Sequence, residues 1–411
     1  MSHSQEAPLR VCLVTPSFVP TYGGAQLRLR RYLPGLGERG IHTHLVIGTP
    51  TARKATAADR ASPEWAAAPG TVLPSEPIDG FPVHRVHLPE AGAAARMTAL
   101  IDAAVGVCRA ERPTVAQIVG ELPKAALPGL RRLRATGTRL IFAATVTARP
   151  VDSPLREWRR RRRVRRVMSA LDCIVVLNEP LRGEFEATGV NTRIEQIPNG
   201  VDLGLFRPAA TPADRSRRRA LGLGDEDRLI AFTGSIHPRK GVDLLLDAFA
   251  RLAPRHPELH VALAGPRRDL ETPRLREFRD ALAAAATAAA ARVHFLGEID
   301  DVPELLRAAD LFVFPSRREG MPNSVLEAMA TGLPVVLCPF DGLSPDLGEA
   351  GRQHLCVPHD PCTLADAIHG LLAAPDRARE LGRQARAWIE STMGLDATLD
   401  RYTALYRDLA G

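Results

Sequence analysis

The chain has 411 residues, of which 45% are hydrophobic and 25% charged, and its formal net charge is +7. That is an ordinary globular balance with enough apolar residues for buried cores. It excludes a wholly disordered chain, and at roughly 150 residues per domain it predicts two or three domains. The basic excess is mild for this length, fitting a protein that handles phosphates or rests near an anionic surface better than a dedicated nucleic-acid binder.

Six cysteines, Cys12, Cys108, Cys173, Cys338, Cys356 and Cys362, include no C-x-x-C pair. They read as reduced thiols, mostly buried, with no zinc-type thiolate pairing. The residues from Met1 to Glu6 lack the basic start and apolar stretch of a secretory signal. No run approaches ~18 apolar residues, so no membrane span is expected. The expected location is cytoplasmic, with peripheral contact at the inner face of a membrane as an extension.

Taken in chain order, Arg10–Thr15 reads as a buried strand, the stretch from about Gln26 to Glu38 as a helix stopped by Gly40, and His42–Gly48 as the next strand. Strand, helix, strand in this spacing is the unit of a parallel sheet. Residues 51–80, rich in Ala, Pro, Ser and Thr, read as a loop or lid with little fixed structure. Strands are expected again at Val83–Leu88, Val115–Val119, Arg139–Ala144 and Asp172–Leu177. A basic run follows the third of these strands and precedes the fourth: Arg156 and Arg159 to Arg166, interrupted by Val164. It predicts a helix that either contacts an anionic lipid or phosphorylated acceptor or is simply a solvated charged face. Aromatic interleaving and a nucleic-acid module are both missing, so no nucleic-acid partner is expected.

Pro198-Asn199-Gly200-Val201-Asp202 punctuates the chain near its midpoint. A second alternation follows, with strands at Leu229–Thr233, His260–Ala264, Val293–Leu296, Leu311–Phe314 and Pro334–Cys338. Helices are expected at Asp243–Leu252, over the Ala-rich Leu275–Ala291, and from about Asn323 to Thr331 with Gly332 as its stop. The last helix, from about Asp396 to Leu409, has no strand partner. These features predict an N-terminal domain over 1–197, to which 396–411 returns, and a C-terminal domain over 198–395.

Several short motifs stand in a fixed order: Asn199-Gly200-Val201-Asp202, Pro238-Arg239-Lys240-Gly241, Leu296-Gly297, Ala309-Asp310, Pro315-Ser316, and Glu319 through Ala328 (EGMPNSVLEA). Together they resemble the retaining glycosyltransferases of family 4. The resemblance implies an α/β chain of the GT-B fold, two Rossmann-like domains facing each other across a cleft, with a nucleotide sugar in the C-terminal domain and the acceptor on the N-terminal side. It implies sugar transfer with retention of anomeric configuration. The partners are then a nucleotide sugar, UDP-linked as first choice, and a glycan, lipid-linked or small-molecule acceptor. No cofactor beyond the donor and no metal is implied.

The residues carry this chemistry in a definite way. A helix starting near Asn323 directs backbone N–H groups and a partial positive charge at whatever lies before it, the setting for a diphosphate. Gly320, Met321, Pro322, Asn323 and Ser324 form that approach. Glu327, one turn in, can accept two ribose hydroxyls, and Glu319, before the helix, hydroxyls of the transferred sugar; similar enzymes use both glutamates so. The plainer reading of Glu327 is a carboxylate complementing the helix dipole, worth ~0.3–1 kcal/mol. Lys240, with Arg239, can stabilise charge building on the departing phosphate; the plainer reading is a solvated turn lysine. Family members usually carry Arg where this chain has Ser235, which leaves half of a cation pair to be supplied by Arg239. Gly23 and Gly24, after the first strand, resemble the loop facing the diphosphate. The nucleotide base is expected near His294 to Ile299.

A histidine found in many relatives after a central N-domain strand is missing, since no histidine occurs between His87 and His237. His42, His44, His84 and His87 read as strand or surface residues. The missing side chain leaves two readings: a donor whose sugar lacks the hydroxyl that histidine would meet, or a weak or inactive member. Two rivals to transfer follow, a nucleotide-sugar epimerase of the same fold and a non-catalytic nucleotide-sugar-binding partner.

Overall fold

The computed structural model describes residues 9–18, 24–50, 68–73, 77–145, 153–211, 216–266, 280 and 290–411. The chain forms two compact units, Met1–Asn199 joined by Asp396–Gly411, and Gly200–Leu395.

The first unit is built on seven parallel strands: β1 (Leu9–Thr15), β2 (Ile41–Gly48), β3 (Val83–Val86), β4 (Val115–Val119), β5 (Arg139–Ala143), β6 (Cys173–Val176) and β7 (Arg193–Gln196). Their order is β3-β2-β1-β4-β5-β6-β7. All residues of β4 and β6 are buried. Helices cover both faces of such a sheet, which is why these strands read as unbroken apolar runs rather than alternating ones. Helix Ala93–Glu111 supplies one cover, burying Leu100, Ile101, Ala104, Val105 and Cys108. The sequence gives no sign of β7, because Arg-Ile-Glu-Gln is a half-exposed edge strand with one apolar residue.

Residues 51–80 need a correction where they are described. Val72 bridges antiparallel to Val86, and Ile78 to Phe81. Leu73 N–H donates to the Arg85 carbonyl at 2.8 Å and His87 N–H to that of Thr71 at 3.0 Å. β3 ends the sheet, so its outer backbone groups need partners, and this segment supplies them. Residues 51–67 and 74–76 lie outside the described residues.

The helix Leu395–Ala410 completes the first unit from Asp396 onward. Leu399, Tyr402, Leu405 and Tyr406 are buried. Tyr406 donates to Gln117 Oε1 of β4 at 2.9 Å, and Tyr402 packs on Tyr32 with ring centroids 6.0 Å apart. Arg39 donates to the carboxylates of Asp400 at 2.7 Å and Asp396 at 3.0 Å. The approach is close enough to need a glycine opposite: a Cβ on Gly35 would lie 2.4 Å from Leu399 Cδ1. Buried Arg28, also on helix Gly24–Glu38, donates to Asn199 Oδ1.

The second unit carries six parallel strands: β8 (Arg228–Thr233), β9 (Leu259–Ala264), β10 (Val293–Gly297), β11 (Leu311–Phe314), β12 (Val335–Leu337) and β13 (Leu355–Cys356), in the order β10-β9-β8-β11-β12-β13. Helix Val242–Leu252 buries Val242, Leu245, Leu246, Phe249 and Leu252 against this sheet's layer. The chain winds outward from β8 to β10, then returns to place β11 on the other side of β8. The carboxyl ends of β8 and β11 therefore flank a topological switch point, where open α/β sheets bind ligands. Most of the Ala-rich segment Leu275–Ala291 lies outside the described residues.

Candidate active site

Two loops leave the sheet at the switch point. The first follows β8 and runs through Gly234 and Ser235 to a single 3-10 turn, Pro238–Lys240, before helix Val242–Leu252. His237 starts that turn, its Nδ1 accepting from the Arg239 N–H at 3.1 Å. Gly241 ends it with φ +69, and a Cβ there would lie 2.1 Å from the Pro315 carbonyl oxygen. The position thus needs glycine twice over, for its left-handed backbone and for the approach of the second loop. Gly265 does the same service behind Ser235: a Cβ on it would stand 2.0 Å from the Gly234 carbonyl oxygen.

The second loop follows β11 and carries Pro315, Ser316 and Glu319 to helix Asn323–Ala330. It is locked to the first by backbone: Arg317 N–H donates to the Arg239 carbonyl at 2.9 Å, and Glu319 N–H to that of Asp341 at 3.0 Å.

The two loops bring three donors onto one carboxylate oxygen. Lys240 Nζ stands 2.8 Å from Glu319 Oε1, and Arg239 Nη1 donates to the same atom at 2.8 Å. Ser316 Oγ donates to it at 2.6 Å. Arg239 Nη1 also donates to the Arg318 carbonyl. All three meet Oε1, leaving Oε2 outside the cluster. Lys240 is largely buried and its ammonium lies 5.0 Å from the centroid of the Phe314 ring. Burial lowers its pKa, and the Glu319 charge opposes that shift. A carboxylate this close favours the charged ammonium that burial disfavours.

Helix Asn323–Ala330 begins beside this cluster. Pro322 holds its cap position and contributes no side-chain bond to it. A helix N-terminus presents backbone donors and a partial positive charge, which suits an anion at this end. Glu327 is buried one turn further in. Gly332, at φ +77, ends the helix as expected.

The structure thus gathers Arg239, Lys240 and Glu319, with Gly320, Met321, Pro322, Asn323, Ser324 and Glu327 following along the same loop and helix. Ser235 sits on the first loop but does not join the Glu319 cluster. Gly24 is the first residue of helix Gly24–Glu38 in the other unit, and Gly23 lies outside the described residues. Of the segment expected near the base, His294 stacks on His260 with centroids 5.3 Å apart, whereas Gly297 ends β10. The segment after β5 is described only to Thr145. Two contributors escaped the sequence reading. Ser316 stood in a quoted motif, but nothing local shows that its hydroxyl reaches Glu319. His359 Nε2 lies 3.1 Å from the Ser316 carbonyl and steadies the loop from 43 residues away.

Residues 227–374 match the family model described as glycosyl transferases group 1, and residues 23–200 the one described as a glycosyl transferase 4-like domain. The chain belongs to this glycosyltransferase family. The family member is 38% identical over 209 residues to a D-inositol 3-phosphate glycosyltransferase of Salinispora tropica, covering 47% of this chain and 42% of that protein. It is 29% identical over 254 residues to a GDP-mannose-dependent monoacylated alpha-(1-6)-phosphatidylinositol monomannoside mannosyltransferase of Corynebacterium glutamicum, covering 59% and 64%. The chain spans about half the length of the curated relatives it matches (42% and 51% for two from Salinispora). Among solved structures, sucrose-phosphate synthase from Thermosynechococcus elongatus superposes with a TM-score of 0.74 at 20% identity, over 98% of this chain and 99% of that one. Anabaena HepE in complex with UDP and glucose gives 0.70 at 19% identity, over 97% and 99%. At those identities the likeness carries the GT-B fold.

Proposed function

We propose that this family member transfers a sugar from a nucleoside diphosphate to an acceptor hydroxyl, with retention. The observation that carries the reading is the convergence of Lys240, Arg239 and Ser316 on Glu319 Oε1, directly before a helix N-terminus with buried Glu327 behind it. An arriving diphosphate competes for Lys240 and Arg239, and the helix N-terminus adds donors. Glu319 then accepts hydroxyls of the transferred sugar, and Glu327 those of the ribose. As the glycosidic bond breaks, negative charge grows on the leaving phosphate, where two positioned cations stabilise it. The leaving oxygen itself takes the acceptor's proton on the same face, so no separate carboxylate base is needed and the missing histidine is tolerated. UDP is the first-choice carrier, supported by a structural neighbour solved with UDP; one relative is named for GDP-mannose.

The acceptor side of the proposal rests on helix Pro154–Met168. Arg156, Arg159, Arg160, Arg162, Arg163 and Arg166, with Lys124, line a shallow concavity of about 570 Å³ around Trp158. Leu155 and Trp158 are each 55% exposed on this otherwise basic helix. Exposed apolar side chains among arginines fit an anionic headgroup or phosphorylated acceptor, a cytoplasmic membrane face included. No described helix is long and apolar enough to cross a membrane.

Calorimetric titration with UDP-glucose and GDP-mannose tests the donor site. Binding of one of them, weakened roughly 10–100-fold by Lys240→Ala and by Glu327→Ala, is expected from the ~1.5–3 kcal/mol of a charged hydrogen bond. Binding of neither, or binding indifferent to both substitutions, sinks the reading. Binding without transfer across a broad acceptor panel returns the chain to the non-catalytic alternative.

A further inference from the structure

Far from that loop pair in sequence, three side chains of the first unit converge at the amino-terminal edge of its sheet. His44 lies on β2, His84 on β3, and Glu111 is the last residue of helix Ala93–Glu111. The register pairs Val46 with His84, so His44 and His84 share one face, two positions apart. Their rings stack with centroids 5.9 Å apart and planes at 20°. His44 Nδ1 is 3.8 Å from Glu111 Oε2, and His84 Nε2 is 3.9 Å from Glu111 Oε1. Both separations are too long for hydrogen bonds. Yet both nitrogens are buried, and neither makes a hydrogen bond. Two buried ring nitrogens without hydrogen-bond partners, both facing one carboxylate, require a physical account.

We propose that His44, His84 and Glu111 bind a divalent metal ion of the zinc class. One donor atom from each residue lies within 4.8 Å of the others. Ligands tetrahedrally disposed about zinc at ~2.0–2.2 Å stand roughly 3.4 Å apart. The two nitrogens face different oxygens of Glu111, so closing the site takes a turn of the carboxylate and a contraction of up to roughly 1.4 Å between donor atoms that lie within 4.8 Å of one another. Two imidazole nitrogens and one carboxylate are a donor set that zinc accepts, with water in the fourth position. Burial favours the neutral imidazoles that ligation requires. Arg10 Nη1 donates to the Glu111 carbonyl at 3.0 Å and holds the helix end that presents the carboxylate.

The position tells what the ion does. Helix Ala93–Glu111 runs back against the strands, so its last residue lies at the end of the sheet opposite the carboxyl edge, where α/β sheets bind substrates. Three protein ligands and an open position are not the closed set of a structural zinc site, but the place of the ion makes it a cross-link, tying edge strand β3 to β2 and to the helix behind them. It also closes the long connection that leaves β2 after Gly48 and returns at Val83.

The test uses the full chain, stripped with a chelator and titrated with Zn²⁺ alone. One zinc per chain by mass spectrometry, with a raised thermal midpoint, is expected. His44→Gln and His84→Gln should each weaken zinc binding more than the ~10–100-fold that loss of an outer-shell partner costs. Cys362→Ser, at the exposed thiol, should leave uptake unchanged. Cobalt substitution in the unaltered chain keeps the test independent of whether the variants fold: the spectrum should show ligand-field bands without thiolate charge transfer. A thiolate band, substoichiometric zinc in the unaltered chain, or uptake unchanged in both glutamine variants overturns the proposal.

Discussion

At the residue scale, Lys240 should set how the proposed donor site responds to pH. Burial puts its folded-state pKa below that of an ordinary lysine. Between the two values the unfolded chain binds more protons, so this lysine's contribution to stability rises with pH through that interval. Phosphate binding runs the other way, because it needs the ammonium. Affinity for a nucleoside diphosphate should therefore fall on the alkaline side earlier than for an exposed lysine. Lys240→Arg should remove that limb while retaining binding; a limb that persists in the arginine variant assigns it to another group. Ser316→Ala should weaken nucleotide-sugar binding by removing the hydroxyl that fixes Glu319, with little effect on binding of the nucleoside diphosphate alone. Lys240, Glu319 and Glu327 were legible as candidates from motif order and from the one-turn spacing after Asn323. Their convergence was not, since Arg239 and Glu319 stand 80 residues apart and meet only through the two loops. His44, His84 and Glu111 were invisible for the same reason: each is unremarkable on its own element.

At the element scale, two left-handed glycines separate space from backbone strain. Gly241 and Gly222 have nearly the same φ, +69 and +72, but a Cβ at Gly222 meets nothing within 4 Å. Gly222→Ala should therefore cost only the left-handed penalty, about 1–2 kcal/mol. Gly241→Ala should cost more in chemical denaturation, because Pro315 must move, and should also weaken nucleotide binding by displacing Lys240. Equal costs for the two would mean that the Gly241–Pro315 contact relaxes freely. The strands of both sheets were legible because burial on two faces writes itself as apolar runs. β7 and β13 were not: one is a polar edge and the other has two residues. The pairing of Val72 with Val86 was hidden too, because a single bridge at a sheet edge leaves no periodicity to read.

At the scale of the whole molecule, the first unit is assembled from two separated stretches. Burying each large side chain among Leu399, Tyr402, Leu405 and Tyr406 contributes roughly 1.5–3 kcal/mol, together comparable to the ~5–15 kcal/mol net stability of a domain. A chain ending at Leu395 should lose the calorimetric transition of the first unit while retaining that of Gly200–Leu395. Tyr406→Phe, which leaves Gln117 Oε1 without its donor, should cost about 1–3 kcal/mol by itself. Where the chain leaves the first unit and where it returns are held side by side: Val201 N–H donates to the Met393 carbonyl at 2.9 Å, and Leu395 N–H to that of Val201 at 2.8 Å. The helix Leu395–Ala410 therefore sets a timetable for the ribosome. The second unit is contiguous and can finish as soon as Leu395 has emerged. The first unit, though its strands come earlier in the chain, cannot cover its Tyr32 and Gln117 surfaces until the segment after Leu395 joins them.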